Sequence, residues 1–287
     1  MKRGLIYCVI VAGAAGLLAL GAPINAQGQG GATQGSATAA SAPRLPDGTP
    51  DISGLWNGAA GGGGGFANPK IDERGNIILG VGRGREGTLT NFERDSGILQ
   101  RADSNRPLYK PQYWARVQWY DENGNKEDPE FLCHPAGVPR MGPPTKIVQT
   151  PTELIFLYNQ RNTFRIIYMD GRPHPPEDQW EGRWYGHSVG RWEGATLVID
   201  SVDFTDASWL GWPGWIHSDQ MRVEERIRRE GETLHWQATV YDPEMLLKPW
   251  TTNAVVRRLN RAPKAELPED LPCSERDSTH IVTKERG

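Results

Sequence analysis

The sequence predicts an all-β protein: an antiparallel up-and-down, lipocalin-like barrel of about eight strands, with an irregular N-terminal extension and one short helix. Three observations lead there. From residue 146 onward, short runs of β-forming residues alternate with clusters of turn residues. No helical run lies between those strands, so nothing supplies the helical crossover of a parallel sheet. The 287 residues also include 34 glycines, 22 prolines and 11 tryptophans. Such a composition opposes a helix bundle and suits short strands with tight turns.

The strands are expected at 147–150, 154–158, 163–169, 186–192, 196–201, 221–229, 233–241 and 252–259. Three pairs read as hairpins, joined by Asn159-Gln160-Arg161-Asn162, Glu193-Gly194-Ala195 and Glu230-Gly231-Glu232. About eight sequential strands curl into a barrel or half-barrel, and such a barrel is wide enough to hold one small ligand. The helix is expected over 109–120, with Pro111 in its first turn and Trp114, Val117 and Tyr113 on one face. The four prolines between Cys133 and Pro144 exclude regular structure there.

Residues 1–26 read as a secretory signal. Lys2 and Arg3 precede an apolar run, and small residues follow near Ala26. Its removal takes two positive charges and no negative ones, moving the formal charge from −3 to −5. A mildly acidic chain with dispersed Lys and Arg is not a nucleic-acid binder. No stable membrane anchor is expected after cleavage, and the location is periplasmic or secreted. Residues 27–45, small and polar, read as a disordered linker. Residues 46–287 then form one domain, with the barrel at about 146–260. The glycine runs at 61–65 and 80–85 lack the flanking strand and helix of a phosphate-binding loop. Two cysteines remain after cleavage, Cys133 and Cys273, and in an exported chain they read as a disulfide.

Several runs together carry a resemblance. They are Pro50-Asp51-Ile52-Ser53-Gly54-Leu55-Trp56, Cys133-His134-Pro135-Ala136-Gly137-Val138-Pro139-Arg140 and the stretch from Arg165 through Asp170-Gly171-Arg172-Pro173-His174-Pro175. To these add Gly186-His187-Ser188-Val189-Gly190-Arg191-Trp192-Glu193-Gly194, Thr196-Leu197-Val198-Ile199-Asp200, His217-Ser218, Glu225-Arg226, Asp242-Pro243 and Lys248-Pro249-Trp250. From about Pro46 to Cys273 the chain resembles a family of exported bacterial proteins, for the most part of unknown function. Ala195 departs from that pattern, which has Asp after Glu-Gly. The resemblance implies export and a single β-rich domain, and it names no reaction.

Candidate site residues follow from strand faces. Along 221–229, Met221, Val223, Glu225 and Ile227 share an apolar face, so Glu225 points inward. Burial makes such a carboxylate either a general acid/base or half of a structural ion pair with Arg165 or Arg191. Arg165 sits among apolar residues on its own strand, an available counter-ion or ligand anchor. Asp170, Arg172 and His174 lie on a proline-stiffened loop suited to polar recognition, or simply to turning the chain. His187 and His217 are the further proton-transfer candidates. Tyr168 and Ser188 complete the ligand contacts. Trp209, Trp212 and Trp215 crowd a Gly/Pro-rich loop that reads either as a lid over the barrel mouth or as an apolar plug. The histidines lack the short spacing of a zinc site, so neither metal nor cofactor is expected. No Gly-x-Ser-x-Gly elbow is present for serine hydrolysis.

Three functions fit. One is acid/base catalysis (lyase, isomerase or hydrolase chemistry) on a small organic molecule in the barrel, with Glu225, a histidine and Arg165 or Arg172 cooperating. The second is a non-catalytic ligand carrier with the same cavity. The third is an envelope interaction protein with a plugged barrel. The inward charges favour the enzyme over the carrier. Substrate and oligomeric state are not encoded in any motif.

Overall fold

The computed structural model describes residues 42–58, 67–71, 77–80, 105–211, 214–270 and 273. The expected signal peptide and most of the expected linker lie outside them, as does Trp212. Pairing begins at the Arg44–Pro50 bridge, which closes a turn at Leu45–Thr49.

The fold is a closed barrel of nine strands. After β1 (Gly54–Gly58) come a separate hairpin, β2 (Ala67–Ile71) and β3 (Ile77–Gly80), then helices α1 (Trp114–Glu122) and α2 (Gly124–Glu127). β4 (Lys146–Gln149), β5 (Glu153–Tyr158), β6 (Thr163–Tyr168), β7 (His187–Glu193) and β8 (Thr196–Val202) follow. A short hairpin of β9 (Trp209–Gly211) and β10 (Trp215–Ile216) precedes β11 (Arg222–Glu230) and β12 (Thr233–Tyr241). β13 (Trp250–Thr251) and β14 (Val255–Leu259) end the described strands. The wall runs β11-β8-β7-β6-β5-β4-β1-β14-β12, and β12 pairs back onto β11. β13 adds to the edge of β12.

Two features correct the sequence expectation. The ninth strand is β1, which bridges β4 and β14, so the barrel is not confined to 146–260. The meander is also not wholly up-and-down: β6 and β7 pair in parallel, Ile167 with Ser188 and Tyr168 with Val189. Residues 169–186 separate them, a segment long enough to carry the chain back to its starting end with only a single 3-10 turn, Glu177–Gln179, and no α-helix. Pro173, Pro175 and Pro176 in that crossover lack the N–H groups a strand would need.

Period-two alternation places the core. Leu154, Phe156 and Tyr158 of β5, Leu197 and Ile199 of β8, Val223 and Ile227 of β11, and Leu234, Trp236 and Val240 of β12 are all buried. The α-helix starts at Trp114 rather than 109, and Val117 and Tyr113 pack on the core as expected, with Tyr120, whereas Trp114 is 60% exposed. Tyr120 meets Trp209 edge-on, with ring centroids 5.5 Å apart. Cys133 and Cys273 are bridged, their Cα atoms 5.7 Å apart.

Candidate functional site

The predicted site residues fall into three separate places. The first is inside the barrel. Glu225 is fully buried, and Arg165 reaches it from β6 with both guanidinium nitrogens, Nη2 to Oε2 at 2.7 Å and Nη1 to Oε1 at 3.3 Å. Trp236 Nε1 donates to Glu225 Oε1 at 2.9 Å. Arg165 also faces the Ser188 hydroxyl at 3.2 Å, and Ser188 and Ser201 bond each other at 2.8 Å. Burial alone works against the Arg165 charge. The adjacent Glu225, with Tyr158, more than offsets this and raises its pKa. Burial pushes the Tyr158 phenol up as well. Glu225 thus has a guanidinium and an indole on its oxygens and no histidine. This arrangement is a structural ion pair, and the alternative partner Arg191 lies outside, bound to Glu193.

The second place is the outer wall, where the 169–186 crossover lies against β7 and β8. His174 Nδ1 and His187 Nδ1 are 3.0 Å apart. On its other side, His174 Nε2 stands 3.6 Å from Asp200 Oδ2. Asp200 Oδ1 accepts from Arg222 Nε at 2.7 Å. The gap from His174 to Asp200 is too long for a hydrogen bond, and His174 Nε2 is buried without a hydrogen-bond partner, but the facing Asp200 charge still favours the hydrogen of neutral His174 on Nε2. Its bare Nδ1 then accepts from His187 Nδ1–H. The lone pair left over is on His187 Nε2, the outer end of the relay. Burial lowers the His187 pKa, and the neighbouring Arg183 and Arg172 charges lower it further. Burial tends to raise Asp200, but the facing His174 imidazole and the Arg222 hydrogen bond outweigh it and the net shift is downward. Tyr168 stacks near His187, ring centroids 5.4 Å apart, and carries the Arg172 guanidinium 3.8 Å above its face. Both Asp170 oxygens engage Arg172, which lowers the Asp170 pKa.

The third place is the base of the β9–β10 hairpin. His217 Nδ1 meets the Ser218 carbonyl at 2.9 Å, so it carries the hydrogen, and Nε2 accepts from Ser208 Oγ at 2.7 Å. Asp242 holds Ser218 through its amide at 2.7 Å and its hydroxyl at 2.9 Å. Gly137, at φ +79°, packs so closely that a Cβ there would collide with the Ser208 side chain. Ser208 and His217 are both fully buried, and the pair pins the hairpin shut. Of the tryptophans, Trp209 is buried under Tyr120, and Trp215 packs edge-on against Trp250 at 5.5 Å. Both described rings are engaged in packing.

Sequence reasoning therefore joined Glu225 to the histidines, whereas the structure keeps His174 and His187 on the opposite face of the wall and His217 buried at the base of the β9–β10 hairpin. It missed Asp200 and Arg222, which lie on the outer faces of β8 and β11 opposite the crossover. It missed Ser208 as well, a lone hydroxyl that gives no pattern. Among the described residues no three His, Cys, Asp or Glu side chains are grouped to hold a metal ion. Comparison with protein-family models, with curated proteins and with solved structures finds no match.

The histidines set a pH dependence. Burial lowers the His217 pKa despite its bond to the Ser218 carbonyl and the nearby Asp242, and His187 is lowered too. The unfolded chain then takes up these protons first, so stability should fall as pH drops below about 6.5, and go on falling until the folded histidines titrate. Urea unfolding at about pH 7.5 and pH 5.5 checks the sign. The His217→Gln variant should show the shallower pH slope, and equal wild-type stabilities at the two pH values would refute the assignment.

Proposed function

We propose that the chain is an exported β-barrel protein that performs acid/base chemistry on a small organic molecule at the outer wall, with His187 as the proton-transfer group. The observation that carries this is the Asp200–His174–His187 relay. The Asp200 charge favours the hydrogen on His174 Nε2, so that His174 Nδ1 accepts from His187 Nδ1–H and the lone pair is left on His187 Nε2. The lowered His187 pKa keeps that lone pair free at neutral pH. Tyr168 lies beside His187 with Arg172 over one ring face, and the Arg172 and Arg183 guanidiniums, themselves paired with Asp170 and with Glu181 and Asp203, add to the lowering of the His187 pKa. Export is supported by the disulfide, which is compatible with an oxidising compartment. No helix among the described residues is long and apolar enough to cross a membrane.

An activated ester such as p-nitrophenyl acetate tests the base without knowledge of the substrate. The wild type should turn it over at least about tenfold faster than His187→Gln. Asp200→Asn, which releases the relay, should fall between them. Because the His187 pKa is lowered, the rate should stay level through its ordinary value of about 6.5 and decline only at more acid pH. Equal rates for wild type and His187→Gln, with both folded by circular dichroism, would discard the reading.

A further inference from the structure

We infer that the barrel end at the β11–β12 turn is a binding site for a small oxyanion, held by Arg257 and Arg229. It is independent of His187 and lies on the inner face of the wall. Arg257 alternates along β14 with Val255 and Leu259, both of which pack on the core, so its side chain faces inward. Across the sheet it is opposite Leu234 of β12, and Leu234 is opposite Arg229 of β11. The three residues therefore stand side by side on one face, which puts the two arginine Cα atoms about 10 Å apart at ordinary strand spacing.

The two guanidiniums are unequally provided for. Arg229 is held by the Asp51 and Gly231 carbonyls, each at 2.8 Å, with its guanidinium carbon 5.3 Å from the centre of the Trp56 ring. Its nearest carboxylate is Asp51, at a loose 3.9 Å. Arg257 has less. Its Nε is buried without a hydrogen-bond partner, and no carboxylate among the described residues lies within ion-pair distance of it. Glu232, near this end, is taken by Arg261. The third inward arginine shows the contrast, since Arg165 has Glu225 as its counter-ion.

Burial depresses both arginines, for Arg257 with nothing opposing it. A guanidinium does not escape that cost by losing its proton, so an inward cation without a partner calls for an anion from outside. The planar fork suits a carboxylate or a phosphate, bound through two parallel N–H···O bonds.

Isothermal titration and thermal unfolding of the mature chain, in chloride buffer, test this with two probes: inorganic phosphate and octanoate. At least one should bind and raise the melting temperature at roughly 10 mM. Phosphate alone identifies a free inorganic or phosphoryl ligand, and octanoate alone an organic acid. Arg257→Met should weaken that binding at least tenfold, while the unliganded variant melts at or above the wild type because an uncompensated cation is gone. Arg226→Met, on the outer face, should bind as the wild type does. Three results would each overturn the assignment: no binding of either probe, binding unchanged in Arg257→Met, or a melt of that variant well below wild type.

Discussion

Glu225→Gln should cost the fold about 3–5 kcal/mol, lowering the melting temperature by roughly 6–20 °C for a domain of this size. The substitution keeps the shape of the side chain and leaves an oxygen to accept from Trp236 Nε1, now 2.9 Å away. It removes the charge that neutralises Arg165, whose side chain is almost wholly buried. No second carboxylate stands within ion-pair distance of Arg165 among the described residues. The serine hydroxyls beside it accept hydrogen bonds but carry no charge. A paired double variant separates charge from packing. Glu225→Leu with Arg165→Met should recover most of the loss, because removing both ions together avoids an unpaired one. Chemical denaturation of the three variants makes the comparison. A Glu225→Gln protein within about 1 kcal/mol of wild type would mean that Arg165 finds another partner, and the pair would then not be structural.

That pair was legible in the sequence because alternation is a strong signal: a carboxylate between Val223 and Ile227, and an arginine before Ile167, both declare an inward charge. The same rule applied to β14 would have found Arg257, which lies between Val255 and Leu259. The hairpins were equally legible, since a short turn between two alternating runs allows one local pairing. What failed were the long-range choices. β1 is five residues flanked by glycines, and its partners β4 and β14 are distant in sequence, so nothing local announces a ninth strand. The 169–186 crossover carried its turn residues plainly. Which barrel face it would lie on depends on closure of the whole sheet. Asp200 follows from that same closure: its outward position was readable, but its histidine neighbours arrive from a segment that only the fold brings there. Ser208 and His217 meet because the β9–β10 hairpin closes between them, and three tryptophans dominate that stretch of sequence instead.

Cleaving the Cys133–Cys273 bridge should remove up to about 5 kcal/mol of stability, the loop-entropy limit for a closure of this length. The bridge spans 140 residues of sequence, which include β4 to β14. The bridge acts mainly on the unfolded chain, whose ends it holds together, so the loss should appear even though no core contact changes. The folded tail also has anchors of its own near the bridge. Asp270 accepts from the Arg161 amide at 2.7 Å, and its own amide donates to Asn162 at 2.9 Å, at the β5–β6 turn. Those bonds keep the barrel assembled when the bridge is absent, so the Cys133→Ser/Cys273→Ser variant should fold and melt at a lower temperature rather than fail to fold. The same protein should lose its tail to limited proteolysis faster than the wild type, since hydrogen bonds alone then hold it in place of a covalent tie. Thiol titration of the denatured, unreduced chain from residue 27 onward, which lacks Cys8, provides the control and should find no free thiol. Two reactive thiols, or a double variant within about 1 kcal/mol of wild type, would show that the bridge does not hold the fold together.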